Sequence, residues 1–174
     1  MHKKKSTSVI ISGLGISGLI TACLLCKEKI KVECFEPNNI SKFPVDQRTT
    51  AFLKPAIEAF KEIGIWEKIE QFSQPLKEME IIDAGSSKNG DITSVVFEPK
   101  EINIENFGYN VPNNILRLEL LGWLKKNQNF VLNIGDSIVS HYAFDDNILV
   151  KSAKGRELFG KLLISCEGKN SSIR

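Results

Sequence analysis

A β-branched run, a glycine-rich turn and a helical stretch follow one another near the start of the chain. Val9–Ile11 has the composition of a strand, and Leu19–Lys29 has the pattern of a helix. Between them lies GxGxxG, spelled Gly13-Leu14-Gly15-Ile16-Ser17-Gly18. A strand, this glycine spacing and a helix in that order are typical of dinucleotide-binding α/β folds. The feature therefore predicts a parallel sheet with a phosphate-binding turn after its first strand.

Each part of this turn has a separate predicted role. Gly13 makes the tight turn out of the strand, and Gly15 lets the backbone approach a pyrophosphate. Gly18 lets the helix pack closely against the strand. Ile16 and Ser17 belong to the segment whose free N–H groups face the phosphates at the helix N-terminus.

A second predicted strand, Lys31–Glu36, ends in an acidic residue. Glu36 lies 23 positions after Gly13, and an acidic residue about twenty positions on holds the adenosine ribose hydroxyls in this fold. The alternative is a solvated carboxylate at a strand end. Glu33 falls one strand face away, so we expect it to take no part in nucleotide binding.

The same N-terminal stretch has an alternative interpretation as an export signal. His2-Lys3-Lys4-Lys5 precedes an uncharged run from Ser6 to Cys26, and Ile20-Thr21-Ala22-Cys23 resembles a lipoprotein cleavage box. However, glycines in a signal peptide have no reason to fall at the GxGxxG spacing. The nucleotide-binding interpretation is therefore favoured.

Composition excludes several classes of protein. The 174 residues suffice for one ordinary domain, and 42% hydrophobic with 25% charged residues is a globular composition. A net charge of +2 gives no electrostatic reason to bind nucleic acid. No run of about 20 apolar residues predicts a transmembrane span.

The cysteines form no clear metal or redox signature. Cys23 and Cys26 make a CxxC, but neither a second ligand pair nor a flanking turn accompanies it. We expect buried structural thiols here, with a zinc or redox site as the alternative. His2 and His141 lie beside no cluster of cysteines or carboxylates, so we predict no metal ligands.

The rest of the chain predicts a mixed α/β fold. Helices are expected over residues 51–63, 65–72 and 116–127. Strands are expected over residues 78–83, 93–97, 130–134, 137–143, 148–152, 157–159 and 162–165. Residues 38–46 are expected to form a loop, and residues 98–114 an irregular segment. The apolar strands 9–12, 130–134 and 162–165 suit a parallel sheet buried on both faces. The three strands between 137 and 159 suit an antiparallel meander, and residues 78–97 suit a second layer.

Four groups of motifs, together spanning nearly the whole chain, carry a family resemblance. They are Gly13–Gly18 with Glu36; Asp46–Phe52 followed by Ile63–Trp66; Gly108–Val111 followed by Leu116–Glu119; and Leu162–Arg174. In them the chain resembles the N-terminal part of the FAD-dependent aromatic-ring monooxygenases. The branch is that of the ubiquinone-biosynthesis hydroxylases, relatives of para-hydroxybenzoate hydroxylase. Gly168, Ser171 and Arg174 match the family's Asp-Gly-x-x-Ser-x-x-Arg motif in register, whereas Glu167 stands where the family usually has Asp.

The resemblance implies a Rossmann-like FAD/NAD(P)-binding domain over residues 1–174, incomplete, with residues 77–112 as part of a substrate-facing layer. FAD would be the cofactor and NAD(P)H the electron donor, for hydroxylation of an aromatic or quinone precursor. The residues expected to bind cofactor are Gly13, Gly15, Ile16, Ser17, Gly18, Glu36, Arg48, Arg117, Glu167 and Gly168. Arg48 and Arg117 would lie near the FAD diphosphate or ribityl chain, the alternative for each being a surface arginine. No catalytic acid or base is nominated.

The resemblance also implies a missing portion. Family members are well over twice as long and carry a later Gly-Asp motif, so we expect a fragment, a split gene product with a separate C-terminal half, or a decayed gene. A non-catalytic remnant or nucleotide-binding module is the main alternative. A short NAD-dependent dehydrogenase is disfavoured because no Tyr-x-x-x-Lys pair is present. The expected location is cytoplasmic, and a lipid quinone precursor would add peripheral contact with the inner membrane.

Overall fold

The computed structural model describes residues 6–39, 46–83, 93–171 and 173. The chain divides into two compact units. The larger unit contains Met1–Gln47 and Asn113–Arg174, and the smaller unit, Arg48–Pro112, is inserted between these two segments.

The described residues form twelve strands and four α-helices, numbered in chain order. They are β1 (Val9–Ser12), α1 (Ile16–Lys27), β2 (Val32–Glu36), β3 (Thr49–Leu53), α2 (Lys54–Ile63), α3 (Trp66–Ile69), β4 (Gln74–Pro75), β5 (Met79–Asp83), β6 (Thr93–Phe97), β7 (Gly108–Pro112), α4 (Asn113–Leu124), β8 (Phe130–Ile134), β9 (Ile138–Ala143), β10 (Ile148–Ser152), β11 (Glu157–Gly160) and β12 (Leu162–Ser165). Short 3-10 turns occupy Glu70–Phe72, Pro99–Ile102 and Gly168–Asn170. No helix in the described ranges is long and apolar enough to cross a bilayer.

The larger unit is built on a four-stranded parallel sheet in the order β12-β1-β2-β8. Every residue of β1 and β2 is buried because these strands lie in the middle of the sheet. The predicted parallel sheet is confirmed, but full burial of all its apolar strands is wrong. Strands β8 and β12 form the edges, where Val131, Ile134 and Leu162 are exposed.

Different elements cover the two faces of this sheet. The predicted meander is confirmed as an antiparallel sheet in the order β11-β10-β9. It packs on one face through a buried cluster of Ile10, Phe35, Ile138, Val150 and Leu158. On the other face, α1 packs against β1, β2 and α4. Helices on one face and a meander on the other leave the carboxyl ends of the parallel strands free to form a site.

The smaller unit contains a three-stranded antiparallel sheet, β3-β7-β4. Its strands correct two predictions, because residues 49–53 pair with residues 108–112. The helix expected from residue 51 therefore begins at Lys54, with Pro55 in its first turn. The segment expected to be irregular over 98–114 contains β7. The end of α2 at Gly64, which has φ +82°, agrees with prediction.

Strands β5 and β6 form a separate antiparallel pair within the smaller unit. All ten of their residues are exposed, although most of their side chains are apolar. The predicted strands are confirmed, and they lie outside the parallel sheet as expected. This pair leaves an apolar surface uncovered in the described part of the chain.

Candidate functional site

An open cleft of about 620 Å³ lies in the larger unit, where the loops after β1, β2 and β12 meet. Eight of the ten residues predicted to bind cofactor line this cleft: Gly13, Gly15, Ile16, Ser17, Glu36, Arg117, Glu167 and Gly168. The carboxyl ends of strands in an open α/β sheet are where such folds bind ligands.

The three motif glycines are in different environments. A Cβ on Gly13, which has φ +92°, would lie 2.6 Å from the carbonyl oxygen of Cys166. A Cβ on Gly18 would lie 2.2 Å from the carbonyl oxygen of Gly13. By contrast, a Cβ on Gly15 would meet nothing within 4 Å. Gly13 and Gly18 are thus required by the protein's own packing, whereas Gly15 borders open space in the cleft.

Helix α1 begins at Ile16, three residues before the predicted start at Leu19. Gly15 is the N-cap residue, with φ −66° and ψ −177°, and it supplies no side-chain cap. The first-turn N–H groups therefore remain available at the edge of the cleft. The sequence pattern did not predict this start because Gly18 has low helix propensity. Here the close packing that Gly18 allows outweighs that low propensity.

Glu36 is buried, at 4% exposure, so the alternative of a solvated carboxylate is wrong. Its Oε2 accepts a hydrogen bond from Leu14 N at 2.8 Å. Its Oε1 accepts from both Asn38 N and Asn38 Nδ2 at 2.9 Å. Backbone and side-chain donors thus hold the carboxylate at the cleft, at the end of β2.

Glu33 lies on the other face of β2 and does not line the cleft. It is nevertheless 3% exposed, and its Oε1 accepts a hydrogen bond from Asn133 Nδ2 at 3.0 Å. Removing this buried carboxylate would leave Asn133 without that partner, so Glu33 contributes to the packing of the unit. It is therefore unsuitable as an inert control for Glu36.

Glu167 is held by two hydroxyl groups. Ser12 Oγ donates to its Oε1 at 2.6 Å, and Ser171 Oγ donates to its Oε2 at 2.8 Å. The loops are also joined by Cys166 N, which donates to the Ser12 carbonyl at 2.7 Å. Sequence reasoning missed Ser12, because no residue pattern signals a contact across 155 positions. Gly168, with φ +79°, follows at the edge of the cleft.

The two predicted arginines fall in different units. Arg117 lies on α4 and lines the cleft. Arg48 is exposed and belongs to the smaller unit, just before β3. Arg174, from the predicted C-terminal motif, lies outside the described residues. Sequence reasoning also missed Asn38 and Ser137, which line the same cleft as Glu36.

The cysteines have the character of structural thiols. Cys23, Cys26 and Cys34 are buried, and Cys166 is partly buried. Burial raises the pKa of Cys26 to about 11, and it raises the pKa of Cys34 well above its usual value. Thiols with such raised pKa values are poor nucleophiles and poor metal ligands at neutral pH. Within the described ranges, no group of three or more His, Cys, Asp or Glu side chains could hold a metal ion.

Comparisons with known proteins agree with a nucleotide-binding fold. No protein-family model matches the chain. It is 24% identical over 173 residues to the 3-demethoxyubiquinol 3-hydroxylase of Escherichia coli (strain K12), covering 97% of this chain and 43% of that protein. It is also 24% identical over 200 residues to the mitochondrial ubiquinone biosynthesis monooxygenase COQ6 of Dictyostelium discoideum, covering 100% of this chain and 39% of that protein. The chain thus spans less than half the length of these curated relatives.

Solved structures show the same fold. The p-nitrophenol 4-monooxygenase PnpA of Pseudomonas putida DLL-E4 matches with a TM-score of 0.75 and 17% identity, over 98% of this chain and 43% of that one. The flavin-dependent monooxygenase PieE, solved with FAD and substrate, matches with a TM-score of 0.72 and 17% identity, over 95% of this chain and 31% of that one. The chain is therefore similar in sequence to ubiquinone-biosynthesis hydroxylases over less than half of their length, and it has the fold of part of the FAD-dependent monooxygenases.

Proposed function

We propose that the larger unit binds the adenosine diphosphate portion of FAD. The main observation behind this proposal is that one cleft is lined by the GxGxxG loop, the Glu36 carboxylate and the Glu167–Gly168 loop. The N–H groups of Ile16 and Ser17, at the start of α1, would contact the diphosphate, and Glu36 would accept from the ribose hydroxyls. The open space at Gly15 supports this fit, because close approach of a phosphate to the backbone requires a residue without Cβ.

The arginines would add charge to the same cofactor. Arg117 lines the cleft and would pair with the diphosphate, since a guanidinium fork matches phosphate geometry. Arg48 is proposed for the diphosphate or the ribityl chain on the strength of its motif, Asp46–Phe52. Glu167 would act mainly by holding the loop before Gly168, because both of its carboxylate oxygens accept from serine hydroxyls.

We propose that the full activity is FAD- and NAD(P)H-dependent hydroxylation of an aromatic or quinone precursor in ubiquinone biosynthesis. The relatives named above support this reaction class. When bound, FAD supplies the redox chemistry between NAD(P)H and dioxygen, and the protein supplies position and electrostatics. In this proposal residues 1–174 are the N-terminal portion of the FAD-binding domain, and residues 77–112 contribute to a substrate-facing layer.

The proposal includes further partners because the chain covers only 43% and 39% of the two relatives. A separate C-terminal half would complete the flavin site and the substrate layer. A lipid quinone precursor would require contact with the edge of the inner membrane from the cytoplasmic side. The alternative is a nucleotide-binding module without catalysis.

The first test measures ADP binding to the chain and to Glu36→Ala by calorimetry. Charge-assisted hydrogen bonds contribute about 1.5–3 kcal/mol each, so loss of the carboxylate should weaken binding about tenfold or more. Glu28→Ala is the control for loss of an acidic side chain, because Glu28 is an exposed acidic residue of the same unit outside the cleft. Equal effects of the two substitutions would remove Glu36 from the site.

The second test supplies the proposed C-terminal half. The chain alone should be colourless after gel filtration with FAD and should not oxidise NAD(P)H. Co-expression with the C-terminal half of a related hydroxylase should give a yellow complex that oxidises NAD(P)H. Persistent ADP binding without flavin retention in that complex would instead favour the nucleotide-binding module.

A further inference from the structure

Asn38 lies two residues after Glu36 and lines the same cleft. Its backbone N and its Nδ2 both donate to Glu36 Oε1 at 2.9 Å. Its side chain is exposed, whereas the carboxylate that it contacts is buried. A carboxylate oxygen only accepts hydrogen bonds, so the amide nitrogen is the end of the Asn38 side chain that faces Glu36.

The donors already present limit what Glu36 can offer to a ligand. A carboxylate has about four acceptor positions on its two oxygens. Leu14 N, Asn38 N and Asn38 Nδ2 take three of them. The two adjacent hydroxyls of a ribose need two positions, so one of the three donors must leave for both hydroxyls to bind.

Only one of the three donors is free to move without changing the fold. Leu14 N belongs to a buried residue inside the glycine turn, between Gly13 and Gly15. Asn38 N belongs to the backbone that continues directly from β2. The Asn38 amide, by contrast, is on an exposed side chain that can rotate into solvent and exchange its bond for one to water.

We propose that Asn38 is a specificity-determining residue of the nucleotide site, whose amide holds a Glu36 acceptor position until a ribose hydroxyl displaces it. This inference rests on the proposed function. Displacement of the amide lowers the apparent affinity for every nucleotide that uses both hydroxyls. A ligand without ribose hydroxyls gains nothing from the exchange, because it leaves the amide in place.

The test compares the chain with Asn38→Ala, using ADP and 2′,3′-dideoxy-ADP as ligands in calorimetry. Alanine keeps the backbone donor at position 38 and removes only the competing amide. We expect Asn38→Ala to bind ADP about two- to tenfold more tightly, the range of one modest hydrogen bond. Affinity for 2′,3′-dideoxy-ADP should change less than twofold. Asn114→Ala is the control, because it removes an asparagine amide from α4 of the same unit, outside the cleft lining.

The outcomes separate this inference from the function on which it rests. Unchanged or weaker ADP binding by Asn38→Ala, while Glu36→Ala still loses affinity, would overturn the role of Asn38 and leave the nucleotide site intact. An equal gain for both ligands would also overturn it, because the gain would not depend on ribose hydroxyls. Failure of the unsubstituted chain to bind ADP would overturn both proposals. Melting curves that match the unsubstituted chain would show that Asn38→Ala is folded.

Discussion

Replacing two of the motif glycines by alanine should separate a binding role from a packing role. In Gly15→Ala the new methyl group meets nothing within 4 Å and projects at the cleft. In Gly18→Ala the methyl group would lie 2.2 Å from the Gly13 carbonyl oxygen, well inside ordinary contact distance. The same chemical change should therefore affect ligand affinity at one position and stability at the other.

The expected magnitudes follow from these distances. At Gly18 the methyl group falls about 1.2 Å short of ordinary contact, and the neighbouring atom is backbone that itself packs against Cys166. Overpacking of this kind costs about 1–3 kcal/mol, which should lower Tm by roughly 2–12 °C in a chain of this size. At Gly15, φ −66° and ψ −177° are accessible to alanine. Stability there should change by less than about 1 kcal/mol.

Two measurements on each variant test this contrast: thermal unfolding by circular dichroism, and ADP binding by calorimetry. Gly15→Ala should melt like the unsubstituted chain and lose at least about tenfold in affinity, because its methyl group blocks approach of the diphosphate. Gly122→Ala is a matched control, since a Cβ there also meets nothing within 4 Å but lies on α4 away from the cleft lining. A folded Gly15→Ala variant with full ADP affinity would refute the reasoning.

Three further predictions concern other parts of the chain. Ser12→Ala should lower the free energy of unfolding by about 1–3 kcal/mol because Glu167 loses a hydroxyl donor. In urea unfolding, the stability losses of Ser12→Ala and Glu167→Gln should not add in the double variant, and additive losses would contradict the contact. Burial raises the pKa of Cys26 to about 11, so this thiol ionises at lower pH in the unfolded chain, and the free energy of unfolding should fall as pH rises from about 9 towards 11. Denaturant midpoints measured across this range test the direction of the change, and midpoints that rise with pH would contradict burial of the neutral thiol. The exposed apolar β5–β6 pair should bind a hydrophobic dye. A double variant with Ile81→Lys and Val95→Glu, which are directly paired positions, should reduce dye fluorescence, whereas unchanged fluorescence would show that the dye binds elsewhere.

The nucleotide turn was predictable because its residue types follow from local backbone requirements. Gly13 has positive φ and Gly18 allows a close approach of backbone, and both conditions exclude side chains. The burial of β1 likewise follows from its apolar composition. Such features depend on nearby residues, so the local pattern contains the necessary information.

Strands β3 and β7 could not be predicted in the same way. Thr49–Leu53 runs directly into α2, and its pairing partner, Gly108–Pro112, is distant in sequence. Backbone pairing between such segments leaves little trace in either one alone. The contact between Ser12 and Glu167 has the same origin, because it depends on the register that pairs Ser12 with Ser165. The hydrogen bonds of Asn38 to Glu36 arise from one local turn geometry, which the polar residue types after β2 do not specify.

The pairing of β3 with β7 has a consequence for chain topology. Thr49 and Pro112 are direct partners, so the two ends of the inserted segment lie about 5 Å apart. Next to these ends, Asn113 Nδ2 donates to Asp46 Oδ2 at 3.0 Å within the larger unit. Once the insertion has folded, its paired ends shorten the effective loop that connects β2 with β8. Pairing β8 with β2 then costs less chain entropy than closing the full-length loop would. Replacement of Arg48–Pro112 by a turn of a few residues should therefore leave the parallel sheet able to assemble, as in domains that tolerate large insertions at a single surface junction.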